Sequence, residues 1–335
     1  MAGGGGQVRR AAALLALLAA TTAGAVEVAW PTSAGRPHGQ PYAAFIQPTV
    51  SGRLESGLFG MTRNEGTRFH EGVDIKPAFL NSRGEAVDAV RAALAGRVAY
   101  VCDQVNGAYG RYVVLEHPRA ELPVYTLYAH LASVRGDLQV GREVAEGHVL
   151  GILGRSSEGI DPIPQDRAHL HFEIGLRLSD RFDDWYARSP HRREPNPHGN
   201  HNGMNLAGFE PLESVLLRPR VDVHTVVNNL PTALVVVART RQPPDFARRH
   251  PQLVTGTAQG SVGWRIEFTW HGLPKRWTPI LQGSPGLPAS GWRIERLSAR
   301  TDLRRLLEQR QMLAPGTTEP GETLRRTMGI LLSVN

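Results

Sequence analysis

The chain has 335 residues, of which 41% are hydrophobic and 21% charged, and its formal net charge is +7. This ordinary globular composition excludes a disordered or fibrous protein, and the length is sufficient for two domains. The single cysteine, Cys102, excludes an intramolecular disulfide framework and any zinc site made only of cysteines.

The first 25 residues predict a secretory signal peptide. Two arginines precede an apolar run at positions 11–20, and Ala-Gly-Ala at positions 23–25 has the small residues of a cleavage site. The run is too short to span a bilayer, and no later segment is apolar for about 18 residues. We therefore expect an exported protein, periplasmic or extracellular, with no integral membrane segment in its mature form. Export and the lack of a basic helical cluster argue against a nucleic-acid partner.

Short apolar runs separated by glycine or proline fill residues 43–217, after a Pro- and Gly-rich lead-in at 26–42. The runs include GRVAYVC, GRYVVLEH, VYTLYAHL and HLHFEIGL, which alternate or are rich in β-branched residues. The pattern predicts an all-β or β-rich first domain, a sandwich or distorted barrel, with a polar, turn-rich surface insertion at about 177–202.

A second, smaller unit is predicted from residue 218 to residue 335. VDVHTVVNN, ALVVVART and VGWRIEFTW are strand candidates, and in the last of them Trp264, Ile266 and Phe268 alternate with polar residues. TDLRRLLEQRQML has leucines at helical spacing between arginines, which predicts an amphipathic helix. We therefore expect a β-rich C-terminal domain that carries one helix, and the sequence assigns it no role.

The stretch FHEGVDIKP contains His70 and Asp74, four residues apart. The glycine, the β-branched residues and the proline favour a strand, on which His70, Gly72 and Asp74 share one face. Gly72 would then keep the surface between the two side chains open. An imidazole and a carboxylate are two-thirds of a catalytic zinc set, but a surface histidine and a buried, hydrogen-bonded aspartate explain the stretch equally well.

The stretch HLHFEIG places His169 and His171 on one face of a predicted strand, with the leucine and phenylalanine packing on the other. The pair alone fits a metal site, a base beside a metal, or neither. With His171 as a third ligand, His70 and Asp74 complete a set of three with a fourth position open for water. Such a set is the form of a catalytic rather than a structural zinc.

Hydrolysis at such a site also needs a group that takes a proton from water. His169 is placed for this work beside His171, and His130, at the end of the predicted strand in LYAHL, can share it. A lone histidine at a strand end is more often structural, so His130 gains its interest from the other motifs.

In these motifs the chain resembles the LytM/lysostaphin-type zinc metalloendopeptidases over roughly residues 43–217. HEGVD resembles the family's HxxxD, HLH its HxH, and YAH the motif with its further active-site histidine, in the same order. The resemblance implies a β-rich fold whose antiparallel sheet forms a groove, one Zn²⁺ per chain, and peptidoglycan as substrate. It also implies metal ligands at His70, Asp74 and His171, and catalytic histidines at His130 and His169.

Two features depart from the family pattern. Extra residues, GRSSEGIDPIPQDRA, precede His169, and we expect them to narrow the groove. The surface insertion contains His191, His198 and His201, which have the chemistry to bind a metal, but a solvated loop is the favoured interpretation.

The leading hypothesis is an exported zinc endopeptidase that hydrolyses cross-bridge or stem peptide bonds of peptidoglycan. A non-catalytic regulator or activator of a cell-wall hydrolase is the alternative, although such relatives usually lose ligands and this chain keeps all five site residues. A sugar-phosphotransfer carrier has a similar all-β fold, but export argues against it because phosphoryl donors are cytoplasmic. A metallopeptidase that acts on proteins is also open. The bond cleaved and the oligomeric state are not predicted.

Overall fold

The computed structural model describes residues 25–63, 68–158, 162–190, 192 and 196–333. The predicted signal peptide, except for Ala25, lies outside these residues. Most regular structure in the first part of the chain is short antiparallel strands. They are β1 (Thr62–Arg63), β2 (Arg68–Phe69), β3 (Val73–Ile75), β4 (Ala89–Arg91), β5 (Gly96–Asn106), β6 (Gly110–His117), β7 (Val124–Ala129), β8 (Ser133–Val134), β9 (Glu143–Val144), β10 (Val149–Ile152), β11 (Leu170–Arg177) and β12 (Leu206–Gly208).

The second part of the chain adds four strands and most of the helical structure. The strands are β13 (Leu234–Arg239), β14 (Ser261–Phe268), β15 (Pro274–Leu281) and β16 (Trp292–Leu297). The helices of the whole described chain are α1 (Phe182–Arg188), α2 (Val223–Asn229), α3 (Asp245–Arg249), α4 (Thr301–Gln309) and α5 (Glu322–Leu331). Single helical turns occur at Tyr42–Ala44, Leu54–Gly57, Gln165–Arg167, Gly199–His201, Gly203–Asn205, Leu212–Leu216 and Pro251–Leu253.

The largest sheet is antiparallel and has the order β12-β11-β7-β6-β5-β9. The first edge of β11 is shared by two partners, because β3 pairs with its beginning and β12 with its end. A three-stranded sheet, β4-β10-β8, and the β1-β2 hairpin accompany it, and β15-β14-β13-β16 form a separate antiparallel sheet in the second part. The predicted β-rich fold with a smaller β-rich C-terminal unit is therefore confirmed.

One buried hydrophobic cluster extends through both parts of the chain, from Val28 in the lead-in to Leu331 in α5. The lead-in is tied into the fold by backbone bridges from Val26 to Val221 and from Thr32 to Val90. Burial of apolar surface at this continuous cluster is the main favourable contribution to folding, and it fixes the second part against the first.

The C-terminal strands match two of the three strand candidates, and the exception is VDVHTVVNN. This stretch forms α2, because the Asp222 side chain accepts a hydrogen bond from Thr225 N at 3.0 Å and caps the helix. Val223 and Val227, four residues apart, face the core together. The predicted amphipathic helix is α4, and α2, α3 and α5 are additional to the one helix expected.

The two copies of the pentapeptide GWRIE lie on β14 and β16, on either side of β13. Trp264 of the first copy and Trp292 of the second are both register partners of Ala238, and Ile266 and Ile294 are both partners of Val236. The repeated sequence therefore occupies equivalent positions around one central strand.

None of the helices in the described residues combines the length and the apolar character that a membrane span requires.

Candidate active site

Three donor atoms from distant parts of the sequence meet at the edge of β11. His70 Nε2 lies 3.0 Å from Asp74 Oδ1 and 3.2 Å from His171 Nδ1, and His171 Nδ1 lies 3.0 Å from Asp74 Oδ1. Tetrahedral zinc, bound at about 2.0–2.2 Å, spaces its ligand atoms about 3.3 Å apart. The three side chains therefore form a group that can hold a metal ion.

Strand pairing brings two of these donors together. Asp74 on β3 and His171 on β11 are direct partners in the antiparallel register. Leu170 and Phe172 alternate with His171 and are fully buried in the core, as the period of a strand requires. Their packing fixes which face His171 presents to Asp74.

His70 does not lie on a continuous strand with Asp74, in contrast to the expectation from FHEGVDIKP. Strand β2 ends at Phe69, and β3 begins at Val73, so the chain bends at 70–72. Gly72 also has a different role from the one expected. A Cβ there would lie 2.3 Å from the carbonyl oxygen of Phe172, so the glycine allows β11 to approach closely.

Hydrogen bonds on the outer side fix the tautomers of the two histidines. His70 Nδ1 lies 2.7 Å from the Leu58 carbonyl oxygen, and His171 Nε2 lies 2.9 Å from Glu173 Oε1. Because these oxygens can only accept, each outer nitrogen carries a proton, and the inner nitrogen is the one that can bind a cation once it is deprotonated. Two lone pairs and a carboxylate then converge, which is the donor chemistry of a cation site.

Glu173 is a part of the site that the sequence interpretation missed. Its fully buried carboxylate accepts hydrogen bonds from His171, from the Tyr109 hydroxyl at 2.6 Å and from the Tyr125 hydroxyl at 2.9 Å. Glu173 lies two residues after His171 and therefore on the same face of β11. An acidic residue on that face of an otherwise apolar strand is the signal that could have identified it.

His169 and His130 stand beside the three donors. His169 Nε2 lies 3.6 Å from Asp74 Oδ1, and the two imidazole centres of His130 and His169 are 4.7 Å apart. Each ring is oriented by a backbone carbonyl at 2.8 Å from its Nδ1, that of Ser156 for His130 and that of Arg167 for His169. The Nε2 atom of each ring is therefore the unprotonated one.

His130 follows directly after β7 and has a positive φ of 61°. Its neighbour Ala129 is the register partner of His171, so the end of β7 carries the chain to the site. The left-handed backbone costs energy in a non-glycine residue and is held by hydrogen bonds from His130 N to the Tyr109 carbonyl and from Leu131 N to the Arg111 carbonyl.

The site is shielded from solvent, and burial controls its ionisation. The His70, Asp74, His169 and His171 side chains are between 6% and 10% exposed. Burial lowers the pKa of His130 to about 3 and also lowers that of His169. Both rings are therefore neutral at neutral pH.

Asp74 and His171 ionise in the opposite sense from what burial alone would produce. Burial opposes the charge on Asp74, yet the adjacent histidines hold its pKa well below the usual range. Burial likewise opposes protonation of His171, but its hydrogen bonds to Asp74 and Glu173 raise its pKa to about 10. The pocket therefore favours positive charge between its acidic groups, which a divalent cation would also supply.

Residues 197–201 of the predicted insertion pack on the sheet face that bears the metal group. Glu173, Leu127, Val114 and Tyr100 form one cross-strand row on that face. Tyr100 is the end of this row farthest from Glu173, and its hydroxyl lies 2.9 Å from Nδ1 of His198.

The insertion histidines are therefore not all solvated, in contrast to the expectation. His198 and His201 are only partly exposed, and the His201 ring stacks on Tyr100 with centres 5.5 Å apart. The Tyr112 hydroxyl donates to the His201 carbonyl oxygen at 3.3 Å. His191 lies outside the described residues.

The extra residues before His169 dock on the neighbouring loop in the part that the structure describes. Gln165 Nε2 donates to the Arg83 carbonyl oxygen at 2.7 Å, and Arg155 forms an ion pair with Glu85 at 3.2 Å. These contacts attach the two described ends of the segment to the loop at residues 83–85, and residues 159–161 lie outside the described chain.

Residues 68–182 match the model described as peptidase family M23. The matched region contains the metal group, His130 and His169, so the part of the chain that is similar to this family is the part that holds the candidate site. No curated protein matches the chain.

Several solved structures of peptidases are similar to parts of the chain. A zinc-containing peptidase from Vibrio cholerae is 24% identical, and the alignment covers 39% of this chain and 33% of that one, with a TM-score of 0.27. The catalytic domain of the antimicrobial peptidase lysostaphin from Staphylococcus simulans is 18% identical over 40% of this chain and 82% of that one, with a TM-score of 0.28. The similarity thus spans about a third of the length of the Vibrio protein.

Proposed function

We propose that the protein is an exported zinc-dependent endopeptidase that hydrolyses peptide bonds of peptidoglycan, in the cross-bridge or the stem. The observation that carries the proposal is the convergence of His70, Asp74 and His171, with donor atoms 3.0–3.2 Å apart, beside two neutral histidines. A set of three protein ligands with two further imidazoles suits hydrolysis better than a purely structural metal, which is usually enclosed by four protein ligands. Export is supported by the N-terminal sequence pattern.

In this proposal His70, Asp74 and His171 hold the ion. Bound zinc would supply a Lewis acid that polarises a peptide carbonyl and makes water acidic enough to attack near neutral pH. Glu173 and the Leu58 carbonyl keep the imidazoles oriented with their lone pairs inward.

His169 and His130 move protons in the proposed reaction. Each has Nδ1–H bonded to a carbonyl oxygen and a free lone pair on Nε2, so either can accept a proton from the attacking water. The lowered pKa values keep the lone pairs available at neutral pH. After accepting a proton, an imidazolium can deliver it to the departing amine, and shielding of the pocket strengthens these charge interactions.

The test is digestion of intact peptidoglycan sacculi by the purified protein, residues 26–335, with zinc and with a chelator. Loss of cross-linked or stem peptides, read by mass spectrometry and abolished by the chelator, is the expected result and identifies the bond. A His130→Ala, His169→Ala double variant that still binds zinc is the matched control and should leave the sacculi intact.

Two outcomes would oppose the proposal. Zinc binding without cleavage of sacculi, but with cleavage of a protein substrate, would replace peptidoglycan by a protein as the substrate class. Absence of both zinc binding and cleavage would favour the non-catalytic regulator of a cell-wall hydrolase.

A further inference from the structure

The sequence assigns no role to residues 218–335, yet this part of the chain contacts residues 58–61, which are hydrogen-bonded to the first proposed metal ligand, His70. Three hydrogen bonds join residues 58–61 to His70. Leu58 O accepts from His70 Nδ1 at 2.7 Å, His70 N donates to Met61 O at 2.9 Å, and Gly60 N donates to His70 O at 2.9 Å. The position of His70 therefore depends on the position of residues 58–61.

The turn between β14 and β15 packs directly on this segment. The His271 ring lies edge-on to Phe59 with centres 5.1 Å apart, and Trp270 lies edge-on to Phe69 at 5.7 Å. Gly60 has a φ of +90°, and a Cβ added there would lie 3.1 Å from the Trp270 ring. Gly60 thus provides both the backbone conformation and the space that the tryptophan needs.

Arg310, which directly follows α4, packs against the ring of Phe69, the residue that Trp270 also contacts. Its guanidinium carbon lies 4.2 Å from the centre of the Phe69 ring, a cation–π geometry. Its buried Nε atom has no hydrogen-bond partner among the described residues. The face of the Phe69 ring is the contact through which this guanidinium meets the residue before His70.

Arg310 keeps its positive charge in this environment. Burial lowers its pKa to about 10, so the guanidinium is still charged at neutral pH. A charged guanidinium over the face of Phe69 gains an electrostatic attraction that an uncharged side chain of similar size would lack.

We infer that Trp270, His271 and Arg310 of the C-terminal unit are positioning residues of the metal centre, acting on His70 through Phe59 and Phe69. None of the three belongs to the group of donors formed by His70, Asp74 and His171. Their role is to hold the 58–61 segment and the 69–71 segment in the geometry that directs Nε2 of His70 toward Asp74 and His171. This inference rests on the proposed metal site but not on the proposed substrate.

The test compares Arg310→Met and Arg310→Lys with Arg305→Met in the full mature chain. Arg305 lies exposed on the same helix and is the matched control. Zinc affinity is measured by competition with a chromophoric chelator, and the ligand field is read from the absorption spectrum of the Co²⁺-loaded protein. Outer residues of metal sites typically change affinity about 10–100-fold, so we expect about tenfold weaker binding and an altered cobalt spectrum for Arg310→Met.

The lysine variant should lie between wild type and Arg310→Met, because it keeps the charge but loses the planar stacking, and Arg305→Met should match wild type. Undiminished affinity together with an unchanged cobalt spectrum in Arg310→Met would overturn the inference. If thermal unfolding shows that Arg310→Met does not fold, the same result in Arg310→Lys would overturn it. A wild-type chain that binds no zinc would instead refute the proposed function.

Discussion

Asp74 and His171 are direct cross-strand partners, 97 residues apart in sequence, and Oδ1 of the first lies 3.0 Å from Nδ1 of the second. The pairing register of β3 and β11, rather than a flexible loop, thus sets the distance between two proposed ligands. A site built on paired strands is held more rigidly than one built on loops, which favours tight control of metal geometry.

The first prediction separates binding from proton transfer. His171→Ala removes an inner donor and should lose zinc, whereas His169→Ala should keep zinc within about threefold and lower kcat about 10²–10⁴-fold, the usual contribution of a general acid–base group. Bound metal is measured by elemental analysis after gel filtration, and kcat with a peptide substrate identified from digestion of sacculi. Equal loss of zinc in both variants would contradict this division of roles.

The second prediction concerns Glu173, which accepts three hydrogen bonds. Glu173→Gln replaces one acceptor oxygen by an NH₂ group that faces a donor from a tyrosine or from His171, so the orientation of His171 is disturbed. We expect about 10–100-fold weaker zinc binding, measured by chelator competition. Glu213→Gln, on an exposed side chain, is the control, and equal affinity in the two variants would refute the role given to Glu173.

The third prediction tests the close approach at Gly72. Gly72→Ala places a Cβ against the Phe172 carbonyl at 2.3 Å, so β3 and β11 must move apart. We expect a loss of about 1–3 kcal/mol in the free energy of unfolding, as for other overpacked positions, together with weaker zinc binding. Gly136→Ala has nothing within 4 Å of its new Cβ and serves as the control in urea denaturation. Unchanged stability and affinity in Gly72→Ala would mean that the strands have more freedom than the structure indicates.

The fourth prediction follows from His271, whose pKa is lowered to about 3 by burial and by the charge of Arg310. In the unfolded chain its pKa is about 6.5, so between these values the unfolded state binds more protons. The free energy of unfolding should therefore fall as pH drops from about 6.5 toward 3, by about 1–2 kcal/mol at pH 5 from this residue alone.

Substitution of His271 checks this pH dependence. Urea denaturation at pH 7 and pH 5 should show a smaller difference for His271→Gln than for wild type, whereas His38→Gln, at an exposed position, should keep the wild-type difference. An unchanged difference in His271→Gln would show that other groups control the acid sensitivity.

The parts of the site that sequence could predict depend on short-range periodicity. Residues two apart on a strand share a face, so His169 and His171 could be placed together, and His70 and Asp74 could be grouped within one motif. The β3–β11 register and the bend at 70–72 depend on contacts about 100 residues apart, which no local pattern contains. For the same reason the packing of His198 on Tyr100 was missed, since the partner tyrosine lies on a different strand.

The fold shows the same limit in VDVHTVVNN. Its β-branched residues favour a strand by propensity, but the capping aspartate and the two buried valines with helical spacing outweigh that preference. ALVVVART and VGWRIEFTW were predicted correctly because they lie at the centre of a sheet, where propensity and burial agree.

The location of the donor pair on β3 and β11 also has a kinetic consequence. The pairing of these strands places Ile75 opposite Leu170 and Val73 opposite Phe172, and all four side chains are at most 1% exposed. Full separation of these two donors requires buried strands to part, whereas His70 lies on the bend at 70–72. Exchange of the ion with a chelator would then include a step set by the opening of the sheet, and its rate would report on slow breathing motions of the core.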